Sequence, residues 1–273
     1  MVFALGSIAA SRGYRVFSYG EIGSTSTEAA RAATSGDVGE VWFASLRQTA
    51  GRGRRGRAWE TASGNLAASL MIVPDCDPAV AATLGFVAGV SLNRALAAVL
   101  PSGTVKTGID GADGPGHRIA LKWPNDVLAD GAKLAGILLE AEALSGSRLA
   151  LVIGIGVNVV AAPEGLPYPA TALQTLGFAV DAPQLFTALS DAWVSLERIW
   201  MKGRGFGAIR RLWLDRAAGV GEEVAVRVSD SVVSGRFETI DDAGRLLIRA
   251  RDGSLKAITA GEIHFGAVAT ARQ

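Results

Sequence analysis

The sequence predicts an α+β protein: a largely antiparallel sheet with helices on one side, followed by a small β-barrel module. Three observations carry that prediction. The strand-like segments "IALKWPNDVLAD" and "AKLAGILLEAEAL" meet at Asp130-Gly131, a dipeptide that tolerates the positive φ angles of a type I′ hairpin. Apolar residues recur at helical spacing over 79–100 and again over about 183–201 and 206–217. After Gly219 the pattern changes to four or five short alternating strands separated by Asp-Asp-Ala-Gly and Asp-Gly turns.

In chain order, Thr25 with Glu28 three residues on forms a capping box that opens a short helix, and Gly36 ends it. "EVWFASL" reads as a strand running into the arginine-rich stretch "AGRGRRGRAW", and "GNLAASLMIV" as the strand beyond it. Asp77-Pro78 starts a long helix, Ala79 to Leu100, which Pro101 stops. The glycine-rich residues 102–118 read as a mobile surface insertion. "RLALVIGIGVNVV" is a buried strand, and Pro163, Pro167 and Pro169 mark a connection to the two later helices. These features divide the chain into residues 1–218 and a C-terminal unit, 219–273.

Composition narrows the function. At 273 residues, 49% hydrophobic and 19% charged, the chain has the makings of a folded core and not of a disordered tail. Twenty-seven Lys+Arg balance 26 Asp+Glu to a net charge of +1, which excludes a protein that coats nucleic acid by bulk charge. Cys76 is the one cysteine and His117 and His264 the two histidines. No disulfide framework and no His/Cys metal site follow from that set. The N-terminal stretch lacks the basic region of a signal peptide, and the apolar window 84–100 is interrupted by Asn93 and Arg94. A cytoplasmic protein without a membrane span is expected.

Gly51, Gly53 and Gly56 satisfy G-x-G-x-x-G, but a dinucleotide fingerprint must open a helix within a βαβ unit, and "AWETASGN" has no helical stripe. Glycine lets backbone amides approach a ligand closely, and arginine forks pair with phosphate or carboxylate oxygens. Arg52, Arg54, Arg55 and Arg57 repel one another without an anion, so the loop is expected to be disordered when empty and to fold over a polyanion such as ATP. In "LKWPNDVL", Pro124 forces its predecessor out of helical geometry, which makes an extended segment presenting Lys122, Asn125 and Asp126. Lys133, just past the hairpin turn, offers a fixed positive charge to a reacting phosphate, and Gly136 leaves room for a ligand against its strand.

"RQTAGRGRRGRAW", "KWPNDV", "KLAGI" and "GIGVNV", in this order, resemble the biotin–protein ligases, also called biotin–[acetyl-CoA-carboxylase] ligases. The resemblance runs from about Ser24 to Asn158 and more loosely through the C-terminal module. It implies a catalytic domain akin to class II aminoacyl-tRNA synthetases, followed by an SH3-like barrel. It also implies a two-step reaction: biotin attacks the α-phosphate of Mg-ATP to give biotinyl-5′-AMP, and a carrier-domain lysine then takes the biotinyl group.

Matched residue by residue, the resemblance puts Ser24, Thr25, Ser26, Gln48, Gly51, Arg52, Gly53, Arg54, Lys133 and Gly136 around biotin. Arg54, Arg55, Arg57, Trp59, Asn125, Lys133 and Asn158 fall to ATP, and Lys133, Arg52 and Asp126 to catalysis. ATP and biotin are then substrates, with Mg2+, and no protein metal ligands are assigned. The implied partner is the biotin carboxyl carrier domain of acetyl-CoA or related carboxylases, and a monomer or weak homodimer is expected. Two departures stand out. Ser26 replaces the family's asparagine, and the barrel keeps only parts of the family's G-x-A-x-G-I-D, at Gly235, Phe237, Thr239, Ile240 and Asp241. No ligand contact is assigned to the barrel. The roughly twenty residues before Ser24 are too few for a winged helix-turn-helix, so no DNA binding is expected. A lipoate–protein ligase and an RNA-binding module using the arginine loop are the alternatives. Lipoate-dependent pyrophosphate exchange would mark the first, and affinity falling steeply with salt the second.

Overall fold

A computed structural model describes residues 2–106, 116–146, 148–228 and 231–265. The glycine-rich insertion therefore lies largely outside the described residues. Its flanks form a two-residue parallel pairing, β4 (Val105–Lys106) with β5 (His117–Lys122).

After a short helix, α1 (Ser7–Ser11), an eight-stranded sheet organises the first part of the chain. Its order is β1-β2-β3-β8-β7-β6-β5-β4, with β1 (Arg15–Ile22), β2 (Gly39–Gln48), β3 (Leu66–Ile72), β6 (Asp126–Ala129), β7 (Ala132–Ala143) and β8 (Leu149–Val157). Only β1–β2 and β4–β5 run parallel; the other pairs are antiparallel. Asp130 and Gly131, both at positive φ, make the tight β6–β7 turn that the sequence predicts.

Helices cover both faces of this sheet, where the sequence reading placed them on one. Trp42, Ala44, Leu70 and Ile153 join the main core with α4 (Leu84–Val99) and α5 (Ala182–Trp200). Val41, Phe43, Met71 and Val152 face the other way and pack with Ala29 and Ala33 of α2 (Thr25–Thr34). The alternation was invisible in "EVWFASL" because both faces of β2 are buried, so neither set of positions is polar. Trp42 anchors the larger core, edge-on to Phe186 and Trp193 at ring separations of 5.5 and 6.4 Å. Burying such a ring removes 150–250 Å² of surface, roughly 4–6 kcal/mol before entropy is counted.

Local signals account for the helix ends, with two corrections. Ser24, not Thr25, caps α2: its backbone is extended and its hydroxyl accepts from the amide of Thr27 at 3.4 Å, which releases the Thr25 hydroxyl for the cavity. The predicted helix 79–100 is interrupted at Ala82–Thr83, giving α3 (Pro78–Ala81) and α4. By length and composition the stretch Pro78–Val99 could cross a membrane, but 72% of its apolar window is buried within the protein, as in a core helix. Asp181 and Gln184 form a full capping box on α5.

The C-terminal unit is a five-stranded antiparallel sheet, ordered β12-β11-β10-β9-β13. It comprises β9 (Glu223–Val228), β10 (Ser231–Ile240), β11 (Leu246–Arg249), β12 (Leu255–Ile258) and β13 (Glu262–Phe265). It docks through the Asp241–Arg245 turn. The Trp123 indole donates to the Gly244 carbonyl at 3.2 Å, Phe86 lies against Gly244, and Arg210 pairs with Asp242 at 2.6 Å.

Candidate active site

The α2 face of the large sheet carries a cavity because its side chains shrink there. Phe43, Met71 and Val152 fill that face under the helix. Toward the α2 N-terminus the same face presents Ala67, Ser69, Gly154, Gly156 and Gly136, which floor an opening of about 540 Å³. That is the size of a small-molecule site. Seven Lys and Arg residues but only two acidic ones, Asp126 and Glu262, line it. In a chain of net charge +1, this local excess selects an anionic ligand.

One end is polar and uncharged. Gln48, from the end of β2, accepts through Oε1 from the Thr25 amide at 2.8 Å and from its hydroxyl at 3.0 Å. Ser69 lies 2.8 Å from the Thr25 hydroxyl and 3.0 Å from that of Ser26. A β-carbon at Gly154 would approach the Ser26 hydroxyl to 3.1 Å, so glycine keeps this corner open.

The middle of the cavity is charged. Lys133 Nζ sits 2.8 Å from Asp126 Oδ1, both half-buried, and 5.5 Å from the ring centres of Trp59 and Tyr168. The Lys133–Asp126 approach lacks hydrogen-bond angles, which leaves that carboxylate oxygen without a directed donor. The "WPN" residues are a turn joining paired strands, with Lys122 opposite Asp126, and not the extended segment the sequence reading expected. Asn125 ties this turn to β7, donating to the Ile137 carbonyl at 2.6 Å and accepting from the Ile137 amide at 2.8 Å. Its remaining oxygen receives Arg54 at 3.0 Å.

The arginine loop closes the roof. Arg52 and Ala58 pair across it, and the Gly53 amide bonds the Arg57 carbonyl at 2.8 Å. Arg55 and Gly56 turn it through positive φ. The arginines have counter-charges that the sequence reading did not anticipate. Arg52 grips Glu140 of β7 at 3.0 Å, and Arg57 faces Glu262 of β13 at 3.6 Å. Arg54 also donates to the Gly261 carbonyl at 3.4 Å. Trp59 lies over Gly136 and Gly156, where a β-carbon would meet its ring. Burial pulls the Lys122 ammonium below its ordinary value even though Asp126 and Glu262 push it up.

Thirteen of the sixteen predicted residues line the cavity: Thr25, Ser26, Gln48, Arg52, Gly53, Arg54, Arg55, Arg57, Trp59, Asn125, Asp126, Lys133 and Gly136. Three do not. Ser24 is a helix cap, and Gly51 borders a separate opening behind the loop. Asn158, assigned to the nucleotide, is buried. It donates to the Thr171 carbonyl at 3.1 Å, and its backbone bonds Leu134 and Leu173, so it stitches a loop to the sheet. Sequence reasoning missed Ser69, Tyr168 and the barrel residues Arg227, Glu262 and His264. Tyr168, an aromatic between Pro167 and Pro169, was the one with a visible signal.

A model of the biotin/lipoate A/B protein ligase family matches residues 37–158, and a model of the biotin protein ligase C-terminal domain matches 219–266. A biotin–[acetyl-CoA-carboxylase] ligase from Paracoccus denitrificans is 38% identical over 89% of this chain and 97% of its own length. The chain belongs to the biotin–protein ligase family. The Bacillus subtilis bifunctional ligase/repressor is 32% identical over 81% of this chain and 64% of its own length. A solved Aquifex aeolicus biotin protein ligase in complex with biotin and ATP superposes with a TM-score of 0.73, at 26% identity, covering 92% of this chain and 97% of that one. In this ligase, then, the catalytic-domain sheet supplies the cavity floor, the arginine loop its roof and the C-terminal barrel one wall.

Proposed function

We propose that this cavity carries out both steps of ATP-dependent protein biotinylation. Biotin's ring enters the uncharged corner at Gln48, Thr25 and Ser26, and its carboxylate extends to Lys133. Mg-ATP lies under the arginine loop with its α-phosphate at the same lysine. A carboxylate oxygen attacks the α-phosphorus, the bond to the bridging oxygen breaks, and pyrophosphate leaves. Two anions must meet for this to happen. Fixed cations that offset their repulsion stabilise the crowded phosphorus more than the separated substrates.

In the second step the lysine amine of a carboxyl carrier domain adds to the acyl carbon of biotinyl-5′-AMP. Its proton passes to Asp126, the C–O bond to phosphate breaks, and AMP departs. Trp59 and the roof keep water from the anhydride in the interval. The observation that carries this reading is the meeting of Lys133, Asp126 and Asn125 with Arg54 of the arginine loop, in the cavity that Gln48, Thr25 and Ser26 also line.

The test is incubation with biotin, Mg-ATP and a biotin carrier domain, followed by the mass of that domain. A gain of one biotinyl group is expected. No gain, with folded enzyme and a competent acceptor, overturns the reading. Lipoate in place of biotin should add nothing, and lipoyl transfer would move the assignment to the other branch of the family.

A further inference from the structure

Gln48, Thr25, Ser69 and Ser26 form a hydrogen-bonded chain whose proton direction can be worked out link by link. The Thr25 backbone amide can only donate, so the Gln48 atom 2.8 Å from it is the oxygen. That oxygen can only accept, so the Thr25 hydroxyl, 3.0 Å away, gives it its proton. With that proton spent, the 2.8 Å contact between Thr25 and Ser69 requires Ser69 to donate. Ser69 then has no proton left for the 3.0 Å contact to Ser26, so Ser26 donates in turn. Ser69 is fully buried, in the middle strand of three, opposite Phe43 on one side and Gly154 on the other.

We propose that Ser69 is a specificity-determining positioning residue: it relays a proton polarity fixed by Gln48, so that Ser26 faces the cavity as an acceptor only. This rests on the biotin reading above and deepens it. A ligand ring must then bring N–H donors to the serine corner, as a ureido ring does. A dithiolane ring brings none, and leaves the hydroxyl lone pairs without donors. The relay also gives a part to Ser26: one hydroxyl with a committed proton does the accepting.

The test compares binding of biotin with binding of its two cyclic carbamate analogues, each having one ring N–H replaced by oxygen. Calorimetry is run on the full chain without ATP, alongside steady-state kinetics. The parent should favour biotin over the more strongly rejected analogue by at least a hundredfold. In Ser69→Ala the Ser26 proton is released and can turn toward the analogue's ring oxygen. The preference should fall by at least tenfold, while KM for biotin rises and KM for ATP stays within twofold. Thr25→Val cuts the chain one link earlier and should lower the preference in the same way. A purely structural role would weaken both ligands equally, so an unchanged preference in both variants overturns the relay. A parent that rejects neither analogue also overturns it. A parent that binds no biotin at all overturns the underlying biotin reading instead.

Discussion

At the scale of the residue, Lys133 is where charge, position and chemistry coincide. Its ammonium is half-buried, held against Asp126 and flanked by two aromatic rings, so it has little freedom left to lose on meeting a ligand. Lys133→Ala should cut biotin-dependent ATP–pyrophosphate exchange by about 10²–10³, the usual cost of removing one preorganised electrostatic stabiliser. The thermal midpoint should stay near that of the parent, because the lysine contributes charge and not core packing. Exchange at a near-parent rate would remove Lys133 from the mechanism. Lys133, Asn125, Asp126 and Arg54 were legible in the sequence because charged and amide residues in a glycine- and proline-punctuated setting serve no core. Ser69 was not. A serine inside "LAASLMI" reads as a tolerated small residue until the Thr25 and Ser26 hydroxyls are seen beside it. Asn158 shows the opposite: it is buried, binds backbone and lies off the cavity lining, and nothing in one dimension separates such an asparagine from one that lines a cavity.

At the scale of the element, the arginine loop is held by carboxylates on two different sheets. Glu262→Gln removes the counter-charge of Arg57 and keeps the side-chain volume. Exposed pairs of this kind are worth about 0.2–1 kcal/mol, so trypsin should cut the loop roughly two- to fivefold faster in the variant. Biotin with Mg-ATP should restore protection, since phosphates replace the missing charge. Equal cutting of variant and parent would leave the Arg57–Glu262 pair without a role in holding the loop. The strands and hairpins of both sheets were readable from alternation and turn chemistry. The break in the long helix was not, because Ala82 and Thr83 carry no strong stop signal.

At the scale of the molecule, the barrel's core is continuous with that of the large sheet, and its Asp241–Arg245 turn is one of the places where the two meet. Gly244 holds φ +77, and a β-carbon there would come within 2.8 Å of Phe86. Gly244→Ala combines left-handed strain with overpacking and should cost about 1–3 kcal/mol, seen as a thermal midpoint several degrees lower. An unchanged midpoint would mean that the barrel turn adjusts freely. One origin of pH-dependent stability lies in α5. Burial first, and Glu40 second, raise the Glu197 carboxyl above its ordinary 4.5. The folded state therefore keeps a proton that the unfolded chain has lost. Stability from this group is full below pH 4.5 and declines as the pH climbs to the raised folded value. Glu197→Gln should match the parent at low pH and exceed it above that window in chemical denaturation. A constant difference at every pH would contradict the assignment. That the two sheets share one cavity was the least legible feature of all, since Arg227 and Glu262 lie more than a hundred residues beyond Asn125 and Asp126 in sequence.

The cavity floor is made by leaving side chains out, and a site made by omission can be recut one methyl at a time. Ala67, Gly136, Gly154 and Gly156 each set a local depth without a polar side chain of their own. They are therefore the positions for engineering an orthogonal enzyme–label pair. Ala67→Gly would deepen the floor for a biotin analogue bearing an extra alkyl group. Gly154→Ala, whose new carbon meets the Ser26 hydroxyl at 3.1 Å, would narrow the serine corner.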